Sequence, residues 1–179
     1  MPKIAHTVGT EHKTKGRTVD AALELTGMVE AKVDDRNRVA IPARFVESLR
    51  ALSLSADSKG PLEVVISLDL MGKLAVFPDK VYSDFREHLA NQDPYSFQSE
   101  GMRTLILGSS ERQTLDKQSR IRIPNPLGKR KGLRGEIVVQ GVGNRLQLLS
   151  MEDWEKSLDA YEAQVEQMRM AEVRRMTGG

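Results

Sequence analysis

Residues 34–42 are Asp-Asp-Arg-Asn-Arg-Val-Ala-Ile-Pro, and residues 116–124, which begin 82 positions later, are Asp-Lys-Gln-Ser-Arg-Ile-Arg-Ile-Pro. Both copies follow one pattern: Asp, three variable residues, Arg, an apolar residue, a variable residue, Ile and Pro. The likeness continues in two further pairs of segments, 63–66 with 136–139 and 73–77 with 145–149. Solenoid repeats run to roughly 20–50 residues, and this period is longer. The sequence therefore predicts one supersecondary unit that occurs twice.

The composition is that of a soluble globular protein. The chain has 179 residues, enough for one domain or two small ones, of which 29% are charged and 39% are hydrophobic. It has no cysteine, which excludes a disulfide framework, a thiolate metal site and a thiol nucleophile. No segment approaches the roughly 18 consecutive apolar residues of a membrane span, and residues 1–20 lack the apolar stretch of a signal peptide. We therefore expect a cytoplasmic protein without a membrane partner.

The charge is unevenly spread along the chain, although the net charge is only +2. Residues 103–145 hold ten Lys or Arg and three acids, a local charge of +7, whereas residues 146–179 hold four basic and seven acidic residues, a local charge of −3. This distribution suits a surface for a polyanion beside a helix that contacts a protein. An ordinary solvated surface has such a distribution more often, so charge alone does not establish a binding surface.

Hydrophobic periodicity predicts the same order of elements in each half. In the first half, the predicted elements are a strand at 27–33, a short strand through Val39 and Ile41, a helix opened by Pro42, strands at 63–68 and 74–77, and a helix from 78. In the second half, Pro126, Gly128 and Gly132 limit the helix after the motif to one or two turns.

The last helix is predicted to begin at a Ser150 cap and to extend to about Met176. Its apolar residues follow alternating spacings of three and four: Met151, Trp154, Leu158, Tyr161, Val165 and Met168. Such a stripe is typical of a helix that packs on its own domain or on another subunit. The later turns extend beyond a small core, which favours Trp154, Leu158, Tyr161 and Val165 as contacts between subunits.

The motif itself predicts a tight loop that connects two strands. The carboxylates of Asp34 and Asp116 can accept hydrogen bonds from the motif arginine or from loop amides and so fix the loop. Asn37 and Ser119 stand where glycine would ease a left-handed backbone. Since Ser tolerates that conformation less well than Asn, we expect the second loop to differ in shape from the first.

Basic side chains cluster at both copies of the motif: Arg36, Arg38, Lys117, Arg120 and Arg122. On an exposed strand face, a guanidinium group can bind phosphate or the edge of a guanine. A purely structural ion pair in each hairpin also explains these residues, and the residues alone favour it somewhat. They nevertheless leave both roles open.

The paired motifs, with residues 105–108 before the second copy and residues 141–145 and Trp154 after it, resemble the MraZ family. That family belongs to the AbrB/SpoVT group of bacterial swapped-hairpin DNA-binding proteins, and the resemblance covers roughly residues 25–156. It implies an α+β, β-rich fold: two tandem half-units that form a pseudo-twofold swapped-hairpin β-barrel, with flanking helices and a long C-terminal helix. The expected boundaries are a mobile tail (1–24), a first repeat (25–90), a linker (91–104), a second repeat (105–156) and a helical extension (157–179).

The resemblance also implies a function. It predicts a ring-shaped homo-oligomer, associated with the nucleoid, that binds short direct repeats in double-stranded promoter DNA and represses a division and cell-wall gene cluster. Carried over, the DNA-contacting arginines are Arg38 and Arg120, with Arg36 at a lysine-like position in the first loop. The chain departs from the family where Asn37 and Ser119 replace a glycine, and in about 24 additional residues before the first repeat.

Other kinds of site find little support in the sequence. Gly141 and Gly143 are too few for a dinucleotide-binding loop, and no histidine has a second ligand at a zinc-like spacing. We therefore expect no catalysis, no cofactor, no metal and no small-molecule substrate. The alternative to a DNA-binding regulator is a ring scaffold or an antitoxin-like interaction module without DNA binding, which the two replaced glycines keep open.

Overall fold

The computed structural model describes residues 25–53, 60–93 and 95–177 of the chain. The tail predicted for residues 1–24 lies outside them. The strands are β1 (Leu25–Lys32), β2 (Arg38–Ala40), β3 (Glu63–Leu68), β4 (Leu74–Pro78), β5 (Glu111–Thr114), β6 (Arg120–Arg122), β7 (Glu136–Gly143) and β8 (Leu146–Ser150). The helices are α1 (Ala43–Ala51), α2 (Asp79–Ala90), α3 (Phe97–Gly108), α4 (Asn125–Arg130) and α5 (Met151–Thr177).

The strands of the two halves are interleaved in one antiparallel sheet. Its order is β1-β7-β8-β4-β3-β5, so the first strand of each half pairs with the third strand of the other half. The hairpins β3–β4 and β7–β8 meet along the β4–β8 pair at the centre. The predicted α+β fold is confirmed. Among the described residues, however, the sheet ends at β1 and β5 and does not close into the expected barrel.

The apolar part of each motif anchors it to the core. Val39 and Ile41 in the first copy, and Ile121 and Ile123 in the second, are at most 3% exposed and belong to the main hydrophobic cluster. Burial of one such side chain contributes about 1.5–3 kcal/mol. The proline that follows each Ile stands at the N-cap of a helix, α1 or α4, which ends the strand as predicted.

The segment predicted as a linker, 91–104, is partly helical. Helix α3 begins at Phe97, and the hydroxyl of Ser96 accepts a hydrogen bond from the amide of Ser99 at 3.4 Å. Ile106 is fully buried in a second, smaller hydrophobic cluster with Phe77 and Tyr82. Met102, within the predicted linker, packs against this cluster, to which α2 also contributes. Residues between the halves therefore form part of the packed domain.

Helix α5 is continuous over 27 residues. The hydroxyl of Ser150 accepts a hydrogen bond from the amide of Asp153 at 3.1 Å, which is the predicted cap. Trp154 is half-buried, whereas the remaining apolar residues predicted to contact another subunit are exposed: Leu158 by 42%, Tyr161 by 44% and Val165 by 64%. None of the described helices combines the length and the apolar character needed to cross a membrane.

Candidate nucleic-acid interface

The two motif loops lie at opposite ends of a short ribbon made of β2 and β6. We call residues 34–38 loop 1 and residues 116–120 loop 2. In the ribbon, Arg38 is opposite Arg122 and Ala40 is opposite Arg120, with Val39 and Ile121 buried beneath. Because alternate residues of a strand face opposite sides, the three arginines share the face that points away from the core.

Loop 1 is held by a single carboxylate. Oδ1 of Asp34 accepts hydrogen bonds from the backbone amides of Arg36 and Arg38, each at 2.9 Å. Oδ2 of Asp34 accepts a bond from Nε of Arg38 at 2.9 Å and lies 2.7 Å from its NH2 group. The amide of Asp34 in turn donates to the carbonyl of Arg38 at 2.8 Å. The Asp and Arg of the motif therefore close the turn between them.

Loop 2 has the same geometry. Oδ1 of Asp116 accepts bonds from the amides of Gln118 and Arg120 at 2.9 Å, and Oδ2 accepts one from Nε of Arg120 at 2.8 Å. Asn37 and Ser119 both adopt the left-handed backbone, with φ of 57°. The prediction that the second loop differs in shape is wrong. The carboxylate bonds fix the turn in both copies and outweigh the weaker tolerance of Ser for this conformation.

The same hydrogen bonds keep both carboxylates ionised. Side-chain and backbone hydrogen bonds from Arg38 lower the pKa of Asp34 from 3.8 to about 2. The pKa of Asp116 is also lowered, first by the backbone hydrogen bond from Arg120 and then by its side chain. The carboxyl groups of Asp34 and Asp116 are therefore both negatively charged at neutral pH.

The predicted DNA-contacting residues differ in how tightly they are held. The side chains of Arg38 and Arg120 are only 26% and 28% exposed, because each lies against its own aspartate. Arg38 also lies 3.9 Å from Asp116, which links the two loops across the ribbon. The other predicted residues, Arg36, Lys117 and Arg122, are exposed. The site thus combines two positioned arginines with three exposed cations.

Two polar contacts that support the loops were not predicted from the sequence. The side chain of Gln113 donates to the carbonyl of Arg122 at 2.8 Å and accepts from its amide at 2.9 Å, which joins β5 to β6. Nδ2 of Asn37 donates to Oδ1 of Asn125 at 2.6 Å, which joins loop 1 to α4. The second contact joins residues 88 positions apart, so no local pattern marks it, and the first depends on how β5 lies beside β6.

A third turn of the same kind joins β3 to β4; the sequence predicts this hairpin, around residues 71–73, but not the role of its aspartate. Oδ1 of Asp69 accepts bonds from the amides of Met71 and Lys73 at 2.9 and 3.0 Å, and Gly72 has φ of 67°. Here the carboxylate is buried, and its Oδ2 accepts bonds from Arg145 at 3.2 Å and Gln147 at 2.6 Å. The spacing Asp-x-x-Gly-Lys is the signal that could have revealed it.

Nothing in the described ranges suggests a metal centre. Over residues 25–53, 60–93 and 95–177, no group of three or more His, Cys, Asp or Glu side chains stands close enough to hold a metal ion. Within those ranges, the chemistry that the ribbon offers is the binding of anionic groups by cations.

Comparison with known proteins gives the family. The family model described as "MraZ protein, putative antitoxin-like" matches residues 106–177. A protein named "Transcriptional regulator MraZ" from Carboxydothermus hydrogenoformans is 30% identical over 76% of this chain and 87% of its own length. Proteins of the same name from Nitrosomonas europaea and Roseiflexus castenholzii are 29% and 27% identical, over 74% and 83% of this chain and 85% and 97% of their own lengths. The chain belongs to the MraZ family.

Proposed function

We propose that this protein is a transcriptional regulator that binds double-stranded DNA through the β2–β6 ribbon and its two loops. The relatives named "Transcriptional regulator MraZ" support a role in transcription. The observation that carries the proposal is the common outward face of Arg38, Arg120 and Arg122, opposite the buried Val39 and Ile121. A two-stranded ribbon fits the major groove, where arginine binds guanine O6 and N7.

The held arginines suit sequence recognition better than free ones. Asp34 and Asp116 fix the guanidinium groups of Arg38 and Arg120 in one geometry. A side chain already ordered before binding loses less conformational entropy on contact with a base. The exposed Arg36, Lys117 and Arg122 supply charge for phosphates, which sets affinity and orientation but carries no sequence information.

We infer further that the protein acts as a cyclic homo-oligomer on short direct repeats of promoter DNA, as a nucleoid-associated repressor. The exposed apolar residues Leu158, Tyr161 and Val165 of α5 support contact between subunits. Several ribbons on one ring would engage successive repeats, and tethering raises overall avidity by 10²–10⁴ without new contacts. The interleaved order of the sheet supports the swapped-hairpin relationship between the halves.

Titration of duplex DNA tests the proposal. Purified protein is mixed with DNA from the region upstream of its own coding sequence and, as a control, with a random-sequence duplex of equal length. We expect tighter binding to the upstream DNA, with an affinity that falls steeply as salt rises because lysine and arginine release counterions from phosphates. Equal affinity for both duplexes, or an affinity independent of salt, would contradict the proposal. Light scattering with and without DNA measures the size of the assembly.

The second candidate is a scaffold or antitoxin-like module that binds proteins and not DNA. It is favoured by two exposed aromatic residues before and at the start of α3, Tyr95 (95%) and Phe97 (91%). The replaced glycines no longer favour it, because both loops keep the motif geometry. The DNA titration separates the two candidates, since a scaffold leaves both duplexes unbound.

A further inference from the structure

We propose that the basic segment 129–134 of the second repeat acts with loop 1 of the first repeat as one phosphate-binding unit. The unit would contact the phosphate backbone of duplex DNA beside the bases reached by Arg38. This inference rests on the proposed function and adds that the two loops are unequal partners for DNA, with the stronger contact at loop 1.

The fold brings the basic segment to loop 1 through three contacts. The amide of Ile123, just before α4, donates to the carbonyl of Asn37 at 2.7 Å. The side chain of Asn37 donates to Asn125, at the start of α4. The carbonyl of Gly135, after the segment, accepts a bond from the amide of Val33 at 2.8 Å. The stretch from Ile123 to Gly135, which contains the segment, is therefore held beside loop 1 at both of its ends.

The cations of this segment are available to a ligand. Lys129, Arg130 and Arg134 are exposed, and their side chains form no hydrogen bond or ion pair within the described part of the chain. Lys129 and Arg134 line one cleft together with Asp34, Asp35 and Asn37 of loop 1. Exposed lysine and arginine side chains without an acidic partner are the groups that bind phosphates and release counterions from DNA.

Local charge explains why loop 1 needs such a partner. Asp34 and Asp35 balance Arg36 and Arg38, so loop 1 has no net charge, whereas loop 2 has a net charge of +1. Residues 125–135, beside loop 1, contain four cations and no acid. The equivalent residues beside loop 2, 43–53, contain two arginines and Glu47. The basic segment therefore supplies the attraction for DNA that loop 1 lacks.

The equivalent cations beside loop 2 are already engaged. Arg44 donates to the carbonyl of Met28 at 2.9 Å and lies over the ring of Phe45, with its central carbon 4.7 Å from the ring centroid. Arg50 donates to the carbonyl of Gly60 at 2.9 Å. These arginines stabilise the fold around α1, so among the described residues 43–53 and 125–135 the unengaged cations lie beside loop 1.

The test compares two charge-neutralising double variants of the full chain on the upstream duplex. Lys129→Gln/Arg134→Gln removes two cations of the cleft; the control Arg86→Gln/Arg174→Gln removes two exposed cations on α2 and α5. For the first variant, we expect affinity to fall less steeply with salt: the magnitude of the slope of log affinity against log salt should decrease by about 2, as for two lost phosphate contacts. The control should leave the slope unchanged. An unchanged slope for the first variant, or an equal fall for both, would overturn the inference.

Combination with the motif arginines tests the assignment to loop 1. If the segment and loop 1 bind as a unit, Lys129→Gln/Arg134→Gln weakens DNA binding less in an Arg38→Ala background than in the wild type, and by its full amount in an Arg120→Ala background. Equal effects in both backgrounds would overturn the pairing with loop 1 while the regulator proposal stands. A wild-type protein that binds neither duplex would instead overturn the regulator proposal, and this inference with it.

Discussion

The turn at Asp69 and the loops at Asp34 and Asp116 share one backbone design and differ in their surroundings. In each, Oδ1 of the aspartate accepts hydrogen bonds from two backbone amides. Counted from the aspartate, the fourth residue of each turn has a left-handed backbone: Gly72, Asn37 and Ser119. The carboxylate of Asp69 is buried and bonds to residues of the other half, whereas the motif aspartates are partly exposed and bond to their own arginines.

Burial decides what the common turn does. In the buried turn, Arg145 and Gln147 come from β8 or the residue before it, so the carboxylate joins the two halves of the sheet. In the exposed loops, the carboxylate holds an arginine at the surface, where a ligand can reach it. The same turn therefore connects the two halves at Asp69, and it positions a surface arginine at Asp34 and at Asp116.

The largest expected effect is on stability, at the buried turn. Asp69→Ala leaves Arg145, Gln147 and two turn amides without their partner, and we expect it to lower the free energy of unfolding by about 3 kcal/mol. Asp34→Ala and Asp116→Ala, at partly exposed sites, should lower it far less. Urea unfolding followed by circular dichroism measures all three. Equal losses of unfolding free energy at the three positions would show that burial does not explain the difference between the turns.

The next effect is on binding, at the exposed loops. We expect Arg38→Ala to weaken binding to the upstream duplex at least tenfold, or about 1.4 kcal/mol, with the assembly intact by size-exclusion chromatography. Its free energy of unfolding should change little, since an ion pair that is partly exposed to solvent contributes little and the two amide bonds to Asp34 remain. Arg120→Ala is the matched variant and should weaken binding less. Unchanged DNA binding by Arg38→Ala would contradict the proposed role of loop 1.

A smaller effect concerns the left-handed residue of each turn. Glycine already occupies this position at Gly72, so Ser119→Gly should relieve backbone strain and raise the free energy of unfolding by up to about 1 kcal/mol. Asn37→Gly should bring no gain, because Asn tolerates the conformation and its bond to Asn125 would be lost. Thermal unfolding of both variants checks the difference. A gain for Asn37→Gly alone would contradict it.

The smallest expected effect is on the titration of the motif carboxylates. Because the pKa of Asp34 is lowered from 3.8 to about 2, its contribution to stability is present above about pH 4 and is lost as pH falls towards 2. In Arg38→Ala, the pKa of Asp34 should rise towards 3.8. The pKa of Asp116 should rise less in Arg120→Ala, because the backbone hydrogen bond, its first cause, remains. Carboxyl titration by NMR measures both shifts, and equal rises would contradict this account.

Local patterns predicted most elements of the fold. The strands at 63–68 and 74–77, the helix after Pro42 and the short helix after Pro124 all form where periodicity and proline placed them. Helix α3 was not predicted, because its Gln, Ser and Gly residues interrupt the apolar pattern to which the buried Ile106 belongs. The pairing of β1 with β7 could not be predicted from local pattern, since it depends on contacts between residues far apart in the chain.

The candidate site was predicted in part. The sequence places basic residues at both motifs, and the structure brings Arg38 and Arg122 together across the ribbon. The equal shape of the loops was not predicted, because residue preference at Ser119 is weaker than the carboxylate bonds that fix the turn. Burial of Asp69 was not predictable either, since it results from the packing of the other repeat. The roles of the motif residues in DNA binding stay a prediction.

The exchange of strands between the halves has a consequence for folding during synthesis. Strand β1 is translated well before its partner β7, which belongs to the second half. Until β7 is translated, the edge of β1 is open to pairing with other nascent chains, as unpaired edges are. The first repeat therefore cannot complete its sheet during synthesis until the second repeat has been translated.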